Sequence, residues 1–103
     1  MHIQITARQF QASERLHDYA RKKIERLERY YDGITGVNVI MTKQDPPGES
    51  SVEMNASVHR QQLVAHAEGK THEEAVDECV DRLRRQVVRY KSKLRDVKQD
   101  RHR

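Results

Sequence analysis

The sequence contains few of the residues that form disulfides or broad hydrophobic cores. One cysteine in 103 residues excludes an internal disulfide, and the chain has no tryptophan. Hydrophobic residues make up only 35% of the chain, and no apolar run is long enough for a signal peptide or a membrane span. We therefore expect one domain with a lean core, in a soluble cytoplasmic protein without a membrane partner.

Residues arranged for catalysis are also scarce. Cys79 lies on the apolar side of a predicted helix, where a buried thiol is the usual interpretation. His59 and His66 are diagonal neighbours in a predicted hairpin, but a metal site needs further ligands. No glycine-rich phosphate loop, Ser-His-Asp set or pair of carboxylates can be assigned to a cleft. We expect a protein that is not an enzyme and that uses no metal or other cofactor.

What the chain does contain is charge, and the charge is ordered along the last predicted helix, 71–98. Charged residues form 35% of the chain with a formal net charge of +4, so their positions matter more than their sum. Thr71 and Glu74 match a capping box, and acidic residues fill the first turns. The run from Arg82 to Arg95 contains seven basic residues and no acidic one. The helix dipole explains basic residues in the last turn only, so the rest of the run is either a solvated face or a surface for a polyanionic partner. The apolar stripe of this helix consists of Val76, Val80, Leu83, Val87, Tyr90 and Leu94.

A second helix, predicted over 13–31 with Ser13 as its N-cap, shows a similar segregation of charge. Its acidic residues lie on the outer face together with Arg21, and the other basic residues gather on one flank. That flank consists of Arg15, Lys22, Arg26 and Arg29, with Lys23 at the border of the core. Solubility alone would not require a one-sided flank, so this helix also suggests a polyanion. Tyr19, Tyr30 and Tyr90 are candidates for stacking on a base, although packing better explains Tyr90 on the apolar stripe.

Alternation of apolar and polar residues predicts four strands. The strands lie at 2–7, 34–43, 51–60 and 63–68. The segment 44–50 contains Pro46-Pro47-Gly48 and is expected to be the most mobile loop. A two-residue loop at Gln61-Gln62 would join the last two strands. In that register the facing pairs are Val58 with Ala65 and Ala56 with Ala67. The order β-α-β-β-β-α predicts an α+β fold in which two helices pack on one face of a four-stranded mixed sheet.

Three stretches of the sequence resemble one family over nearly the full chain. They are RKKIERLE followed by YYDGI, then LVAHAEGKTHEEAVD, and then DRLRRQVVRYKSKL. They resemble the ribosome hibernation-promoting factor and ribosome-associated inhibitor family, also called sigma-54 modulation proteins. The most specific part is the pattern D-[KR]-L-x-R-Q-[LV]-x-[KR]-x-K-x-K-L. It is matched by Asp81, Arg82, Leu83, Arg85, Gln86, Val87, Arg89, Lys91, Lys93 and Leu94. Members commonly have an aspartate and an aromatic residue near the start of the last helix, where this chain has Thr71 and Glu73.

The resemblance implies a domain similar to double-stranded RNA-binding domains that binds the small ribosomal subunit between head and body. There it would occlude mRNA and the A-site and P-site tRNA, silencing translation reversibly during starvation or stationary phase. Several basic residues match rRNA-binding positions of the family, and the basic flank of the first helix adds Lys22 and Arg29. The matched positions are Lys23, Arg26, Arg82, Arg85, Arg89, Lys91 and Lys93.

The resemblance also suggests how the chain is organised and which partners it has. Residues 1–98 would form the ribosome-binding domain and 99–103 a short polar tail, as in the short hibernation-promoting type. We expect a monomer off the ribosome, with a ribosome-dimerising factor as a candidate partner. The main alternative is a protein-interaction module that regulates a transcription factor. A homodimeric coiled coil is disfavoured, because the apolar stripe lasts under three heptads and the strands need a helix to cover them.

Overall fold

The computed structural model describes residues 1–43 and 49–100, with side chains through residue 95. The strands are β1 (His2–Arg8), β2 (Gly36–Lys43), β3 (Ser50–Val58) and β4 (Gln61–Gly69). The helices are α1 (Glu14–Glu25) and α2 (His72–Asp100), and a short 3-10 helix, Arg26–Arg29, continues α1. The expected mobile turn at Pro46-Pro47-Gly48 and the last three residues of the expected tail lie outside the described residues.

The sheet has the strand order β1-β2-β3-β4. β1 pairs with β2 in parallel, and the other two pairings are antiparallel. The crossover through α1 makes the parallel pairing possible, and both helices pack on the same face of the sheet. The predicted α+β fold is thus confirmed. Within the described part of the chain, no helix has the length and hydropathy needed to cross a membrane.

The hydrophobic core lies between the helices and the inner face of the sheet. Val39, Met54 and Ala65 are neighbours across three strands and are buried, and Leu83 of α2 is buried in the same core. The residues that alternate with these along each strand lie on the outer face of the sheet, and most of them are polar. This alternation is expected when helices cover only one face of a sheet. One layer of helices therefore leaves an open sheet face and an exposed outer helix surface.

The predicted register of the last hairpin is wrong. β3 and β4 are joined at His59-Arg60 instead of Gln61-Gln62, and Arg60 adopts a φ of 64°, in the left-handed region. The observed facing pairs are Val58 with Gln61 and Ala56 with Leu63. The apolar residues still face the core, because the register differs from the predicted one by an even number of residues. The two histidines are not diagonal neighbours, since His59 lies in the turn and His66 faces Glu53.

The predicted helix caps are present, but both helices end differently from the prediction. Ser13 accepts a hydrogen bond from the Leu16 amide at 3.1 Å. Thr71 Oγ1 likewise accepts from the Glu74 amide at 3.1 Å, whereas the Glu74 carboxylate accepts from the Lys70 amide instead of that of Thr71. The predicted helix over 13–31 is an α-helix only to residue 25, and α2 extends two residues beyond the predicted end at 98.

Candidate nucleic-acid interface

The two helices are connected by a polar contact between their facing sides. The Tyr19 hydroxyl of α1 lies 2.7 and 2.9 Å from the two carboxylate oxygens of Asp77 in α2. Lys23 Nζ lies 3.4 Å from the same carboxylate and 5.5 Å from the centre of the Tyr19 ring. The hydrogen bond to Asp77 raises the pKa of the Tyr19 phenol, because the carboxylate favours the protonated hydroxyl. This contact fixes the orientation of the basic residues on α1 relative to those on α2.

The residues 77–85 of α2, here called the paired segment, neutralise most of their own charge. Arg84 and Arg85 lie 2.8 and 2.7 Å from the two oxygens of Asp81. Arg82 Nε lies 3.1 Å from Glu78. The hydrogen bond from Arg84 lowers the pKa of the Asp81 carboxyl, so this residue remains ionised at pH 7. Every arginine of the paired segment thus has an acidic partner within one helical turn.

The residues 86–95 of α2, here called the unpaired segment, lack such partners. The segment contains no acidic residue. In the described part of the chain none of its basic side chains forms an ion pair, and Arg89, Lys93 and Arg95 are exposed. The buried side chains of Val87 and Tyr90 hold the segment against the sheet. Its cations are therefore fixed in position and available to an external anion.

Most of the basic residues between 82 and 95 of α2 divide between two flanks of the helix. On the flank facing β4, Arg82 donates a hydrogen bond to the His66 carbonyl at 2.6 Å and Gln86 to the Val64 carbonyl at 2.7 Å. Helical spacing places Arg89 and Lys93 on this flank as well. The basic residues on the flank facing α1 are Arg84, Lys91 and Arg95.

An inter-helix groove of about 210 Å³ runs between α1 and the paired segment. It is lined by Lys23, Arg26, Leu27, Tyr30, Asp77, Val80, Asp81 and Arg84. The Arg84 guanidinium lies 5.6 Å from the centre of the Tyr30 ring, within the range of a cation–π contact. The acidic residues in this groove are already bound to Lys23 and Arg84, so Arg26 is its free cation within the part of the chain that the structure describes.

A second depression, here called the tyrosine cleft, lies between the unpaired segment and the end of the 3-10 helix that continues α1. Its volume is about 400 Å³. It is lined by Glu28, Arg29, Tyr30, Tyr31, Asp32, Lys91, Leu94 and Arg95. Tyr31 packs edge-on against Tyr90 at 5.5 Å between ring centres, and burial raises the pKa of its phenol. The cleft therefore combines aromatic surface with a basic rim.

The structure separates the residues that the sequence suggested as one site. Lys23 and Arg26 lie in the inter-helix groove, and Arg29 and Lys91 line the tyrosine cleft. Lys22 lines a different depression, formed by residues of α1 that include Tyr19. The residues on the β4-facing flank are Arg82, Arg89 and Lys93, and Arg85 is exposed and paired with Asp81. The nine residues thus surround α2 on several sides and do not form one continuous surface.

Two basic residues that were not predicted as site residues line these depressions. Arg84 is in the inter-helix groove and Arg95 is in the tyrosine cleft. Both belong to the basic run of α2. Arg84 follows Asp77 by seven residues and Arg95 follows Arg84 by eleven, and both spacings place residues on the same side of a helix. Projection of the apolar stripe places them on the α1-facing flank, so this signal was present in the sequence.

The remaining reactive residues do not form a catalytic or metal site. Cys79 is fully buried, its thiol donates to the Ala65 carbonyl at 3.4 Å, and burial raises its pKa to about 12. The thiol is therefore protonated at pH 7 and unreactive, as expected for a packing residue. Within residues 1–43 and 49–100, no group of three or more potential metal ligands was found.

Comparison with known proteins identifies the family. A family model described as sigma 54 modulation protein / S30EA ribosomal protein matches residues 3–95. The ribosome hibernation promoting factor of Azotobacter vinelandii is 37% identical over 93 residues, covering 90% of this chain and 85% of the relative. The factor of the same name from Escherichia coli strain K12 is 30% identical over 95 residues, covering 92% of this chain and 98% of the relative.

Solved structures share the same fold. A ribosomal subunit interface protein from Coxiella burnetii matches with a TM-score of 0.83 and 26% identity, covering 89% of this chain and 99% of that one. The N-terminal domain of Thermus thermophilus Protein Y matches with a TM-score of 0.79 and 27% identity, covering 87% and 99%. The named relatives are ribosome factors and not enzymes, in agreement with the non-enzymatic function expected from the sequence. The match of sequence over nearly the whole chain, together with the shared fold, shows that this chain belongs to the sigma 54 modulation protein / S30EA ribosomal protein family.

Proposed function

We propose that this protein is a translation silencer that binds small-subunit rRNA through its basic helices and occludes mRNA and A-site and P-site tRNA. The observation that supports this most strongly is the unpaired segment, a run of cations on a packed helix that contains no acidic residue and forms no ion pair among the described residues. The names of its relatives, ribosome hibernation promoting factors, support the same conclusion. The silencing would act in the cytoplasm during starvation or stationary phase.

Ribosomal RNA is a suitable ligand for such a surface. Its phosphates lie along the RNA helices. Lys and Arg side chains bind these phosphates with strongly salt-dependent affinity and with little dependence on the base sequence. Arg89 and Lys93 lie on one flank of α2, while Lys91 faces α1, so the segment can contact RNA on both sides. Binding alone would block the subunit, and no catalytic group is needed.

The proposed rRNA contacts differ in the charge that they offer. We assign the strongest contacts to Arg26, Arg29, Arg89, Lys91 and Lys93, which have no ion pair among the described residues. Weaker contacts are assigned to the paired residues Lys23, Arg82 and Arg85, and to Lys22, which lies in a separate depression of α1. The binding domain would comprise residues 1–98, and the free protein would be a monomer.

The test is co-sedimentation with small subunits and with whole ribosomes at low and high salt, with a translation assay on the same fractions. We expect stoichiometric, salt-sensitive binding with loss of translation. Arg85→Glu with Arg89→Glu should abolish binding, because both side chains are exposed and their reversal repels phosphate. The matched control is Arg8→Glu with Arg21→Glu, which changes the net charge equally at exposed positions away from the unpaired segment.

Three outcomes would contradict the proposal. Wild-type protein that fails to bind ribosomes at low salt would refute it and direct attention to a protein partner, such as a transcription factor. Equal loss of binding in the control variant would show that only net charge matters. Binding without inhibition of translation would refute occlusion.

A further inference from the structure

The structure distinguishes the tyrosines that the sequence suggested for base stacking. Tyr90 is 7% exposed and its hydroxyl donates to the His59 carbonyl at 3.2 Å. The Tyr19 hydroxyl is bound to Asp77. Tyr30, in contrast, is 40% exposed, and its hydroxyl has no hydrogen-bond partner among the described residues. The Arg84 guanidinium lies 5.6 Å from the centre of the Tyr30 ring, but Tyr30 is still the most exposed of the four tyrosines and offers the most ring surface to a ligand.

Tyr30 lines the tyrosine cleft, whose apolar part is fixed by the core. Tyr31 packs against buried Tyr90, and Leu94 packs against the core from the end of the apolar stripe. The cleft volume of about 400 Å³ falls within the range of small-ligand sites, roughly 300–1,000 Å³. An aromatic surface of fixed geometry loses little conformational entropy when a planar ligand stacks on it.

The charges of the cleft favour a ligand that has both a phosphate and polar ring edges. Arg29, Lys91 and Arg95 form no ion pair among the described residues, so they are free to bind phosphate. Glu28 lies 3.8 Å from the amino-terminal ammonium group, and Asp32 is exposed at the rim. These carboxylates oppose a bare polyanion, but they can accept hydrogen bonds from the amino groups of a nucleobase.

We propose that the tyrosine cleft binds one unstacked nucleotide of single-stranded RNA. Its base would stack on Tyr30, and its phosphates would contact Arg29, Lys91 and Arg95. A duplex does not offer this ligand, because its base faces are already stacked. This inference rests on the proposed function in one respect, the source of the RNA strand. That strand is either rRNA or mRNA on the small subunit.

The inference is tested with fluorescently labelled RNA and the full chain. The probes are a single-stranded RNA octamer containing adenosine and cytidine and a blunt duplex of the same length, each measured by anisotropy over a range of salt. Tyr30→Ala should weaken octamer binding by roughly five- to hundredfold, the usual effect of removing one stacked aromatic ring. The salt dependence should not change, because no charge is lost, and Tyr30→Phe should bind like wild type.

The control is Val64→Ala, which shortens an exposed apolar side chain (45% exposed) on the open sheet face, outside the cleft. It should leave octamer binding unchanged, and circular dichroism should show each variant folded. Wild-type affinity in Tyr30→Ala overturns the inference. Absence of octamer binding at low salt, or duplex binding as strong as octamer binding, also overturns it.

Ribosome co-sedimentation distinguishes failure of this inference from failure of the proposed function. If wild-type protein binds ribosomes but Tyr30→Ala binds the octamer normally, only the cleft inference is wrong. If wild-type protein does not bind ribosomes but the octamer result holds, only the proposed function is wrong. Ultraviolet crosslinking on ribosomes with and without mRNA then identifies the strand, and lack of a Tyr30 crosslink in both samples contradicts binding in the cleft.

Discussion

The paired and unpaired segments of α2 contain similar numbers of basic residues, three and four, but differ in acidic neighbours. The paired segment has Asp77, Glu78 and Asp81, and each is bound to a cation of the same helix or of α1. The unpaired segment has no acidic residue. The number of cations in a helix is therefore a poor measure of the charge that it offers to RNA, since partners one turn away neutralise part of it.

The two segments also differ in what their polar side chains hold together. In the paired segment, Asp77 binds Tyr19 and Lys23 of α1, and Arg82 binds the His66 carbonyl of β4. The unpaired segment is held chiefly by apolar contacts of Val87 and Tyr90. We infer that the charged groups of the paired segment serve mainly the fold and the cations of the unpaired segment mainly binding.

The largest expected effect follows from removing cations of each segment in turn. Arg89→Ala with Lys93→Ala should lower the affinity for small subunits by tens of fold or more. The slope of log affinity against log salt should fall by about two, since each phosphate contact contributes roughly one. Arg82→Ala with Arg85→Ala removes the same charge but should reduce the slope by less, because acidic partners already neutralise both cations. Equal slopes for the two variants would contradict the distinction between the segments.

Asp77→Asn should break the contact between the helices. The folded protein would lose a charge-assisted hydrogen bond from Tyr19 and the ion pair with Lys23, and the free energy of unfolding should fall by about 1 kcal/mol. Urea denaturation at pH 7 measures this loss. The control is Asp18→Asn, an exposed residue of α1 without an ion pair in the described part of the chain.

The same variant should change how stability depends on pH. The pKa of Tyr19 is raised in the folded protein, so its contribution is fully present below the ordinary pKa of about 10 and is lost as pH rises through the folded value. In Asp77→Asn the pKa should fall towards the ordinary value, which an absorbance titration of tyrosinate would detect. A Tyr19 titration that is unchanged by the substitution would show that the carboxylate is not its cause.

Asp81→Asn should convert part of the paired segment into an unpaired one. Arg84 and Arg85 would lose their acidic partner, so affinity for small subunits should increase several-fold and the salt slope should increase. Glu25→Gln is the control, since it changes the net charge equally at an exposed residue that has no ion pair among the described residues. An equal gain in the control would show that only net charge matters.

The pKa of Asp81 gives a second, smaller test of the same contact. Because the pKa is lowered in the folded protein, the contribution of Asp81 to stability is present above the ordinary carboxyl pKa. It is lost as pH falls through the lowered value. Carbon NMR of the Asp81 carboxyl should therefore show a titration below the range of a free aspartate, and Arg84→Ala should move it upward.

Most of the fold could be predicted because its determinants are local. Strand alternation, the apolar stripe of α2 and the Ser13 cap each depend on spacing within one element, and all are present. The hairpin register was not predicted correctly, because the turn at His59-Arg60 has none of the Gly or Asn residues that usually mark it. Arg60 takes a positive φ that its sequence does not signal.

The candidate site could be predicted only in part for a related reason. The ion pairs of Arg82, Arg84 and Arg85 join residues three or four apart, so their spacing could have revealed them. The contact of Asp77 with Tyr19 and Lys23 could not have been found this way, because it depends on how the two helices cross. The tyrosine cleft depends on the same crossing, since one side comes from the end of α1 and the other from α2.

The smallest expected effect concerns the β4-facing flank, where the two segments meet. β4 is an edge strand, and its Val64 and His66 carbonyls accept hydrogen bonds from Gln86 and Arg82. Uncovered edge carbonyls can pair with a strand of another molecule, so these side chains protect the edge. Arg82→Ala with Gln86→Ala should lower the free energy of unfolding by about 1 kcal/mol or less, since water replaces the exposed hydrogen bonds.

The same double variant should also self-associate at high concentration, which sedimentation velocity would detect. The control is Arg21→Ala with Gln11→Ala, which removes the same side-chain types at exposed positions outside β4 and α2, and it should remain monomeric. Self-association in both variants would attribute the effect to lost charge repulsion instead of an exposed edge. If only the edge variant associates, Arg82 and Gln86 protect the β4 edge through their hydrogen bonds, and this role explains why Arg82 has an acidic partner, Glu78, that holds it in place.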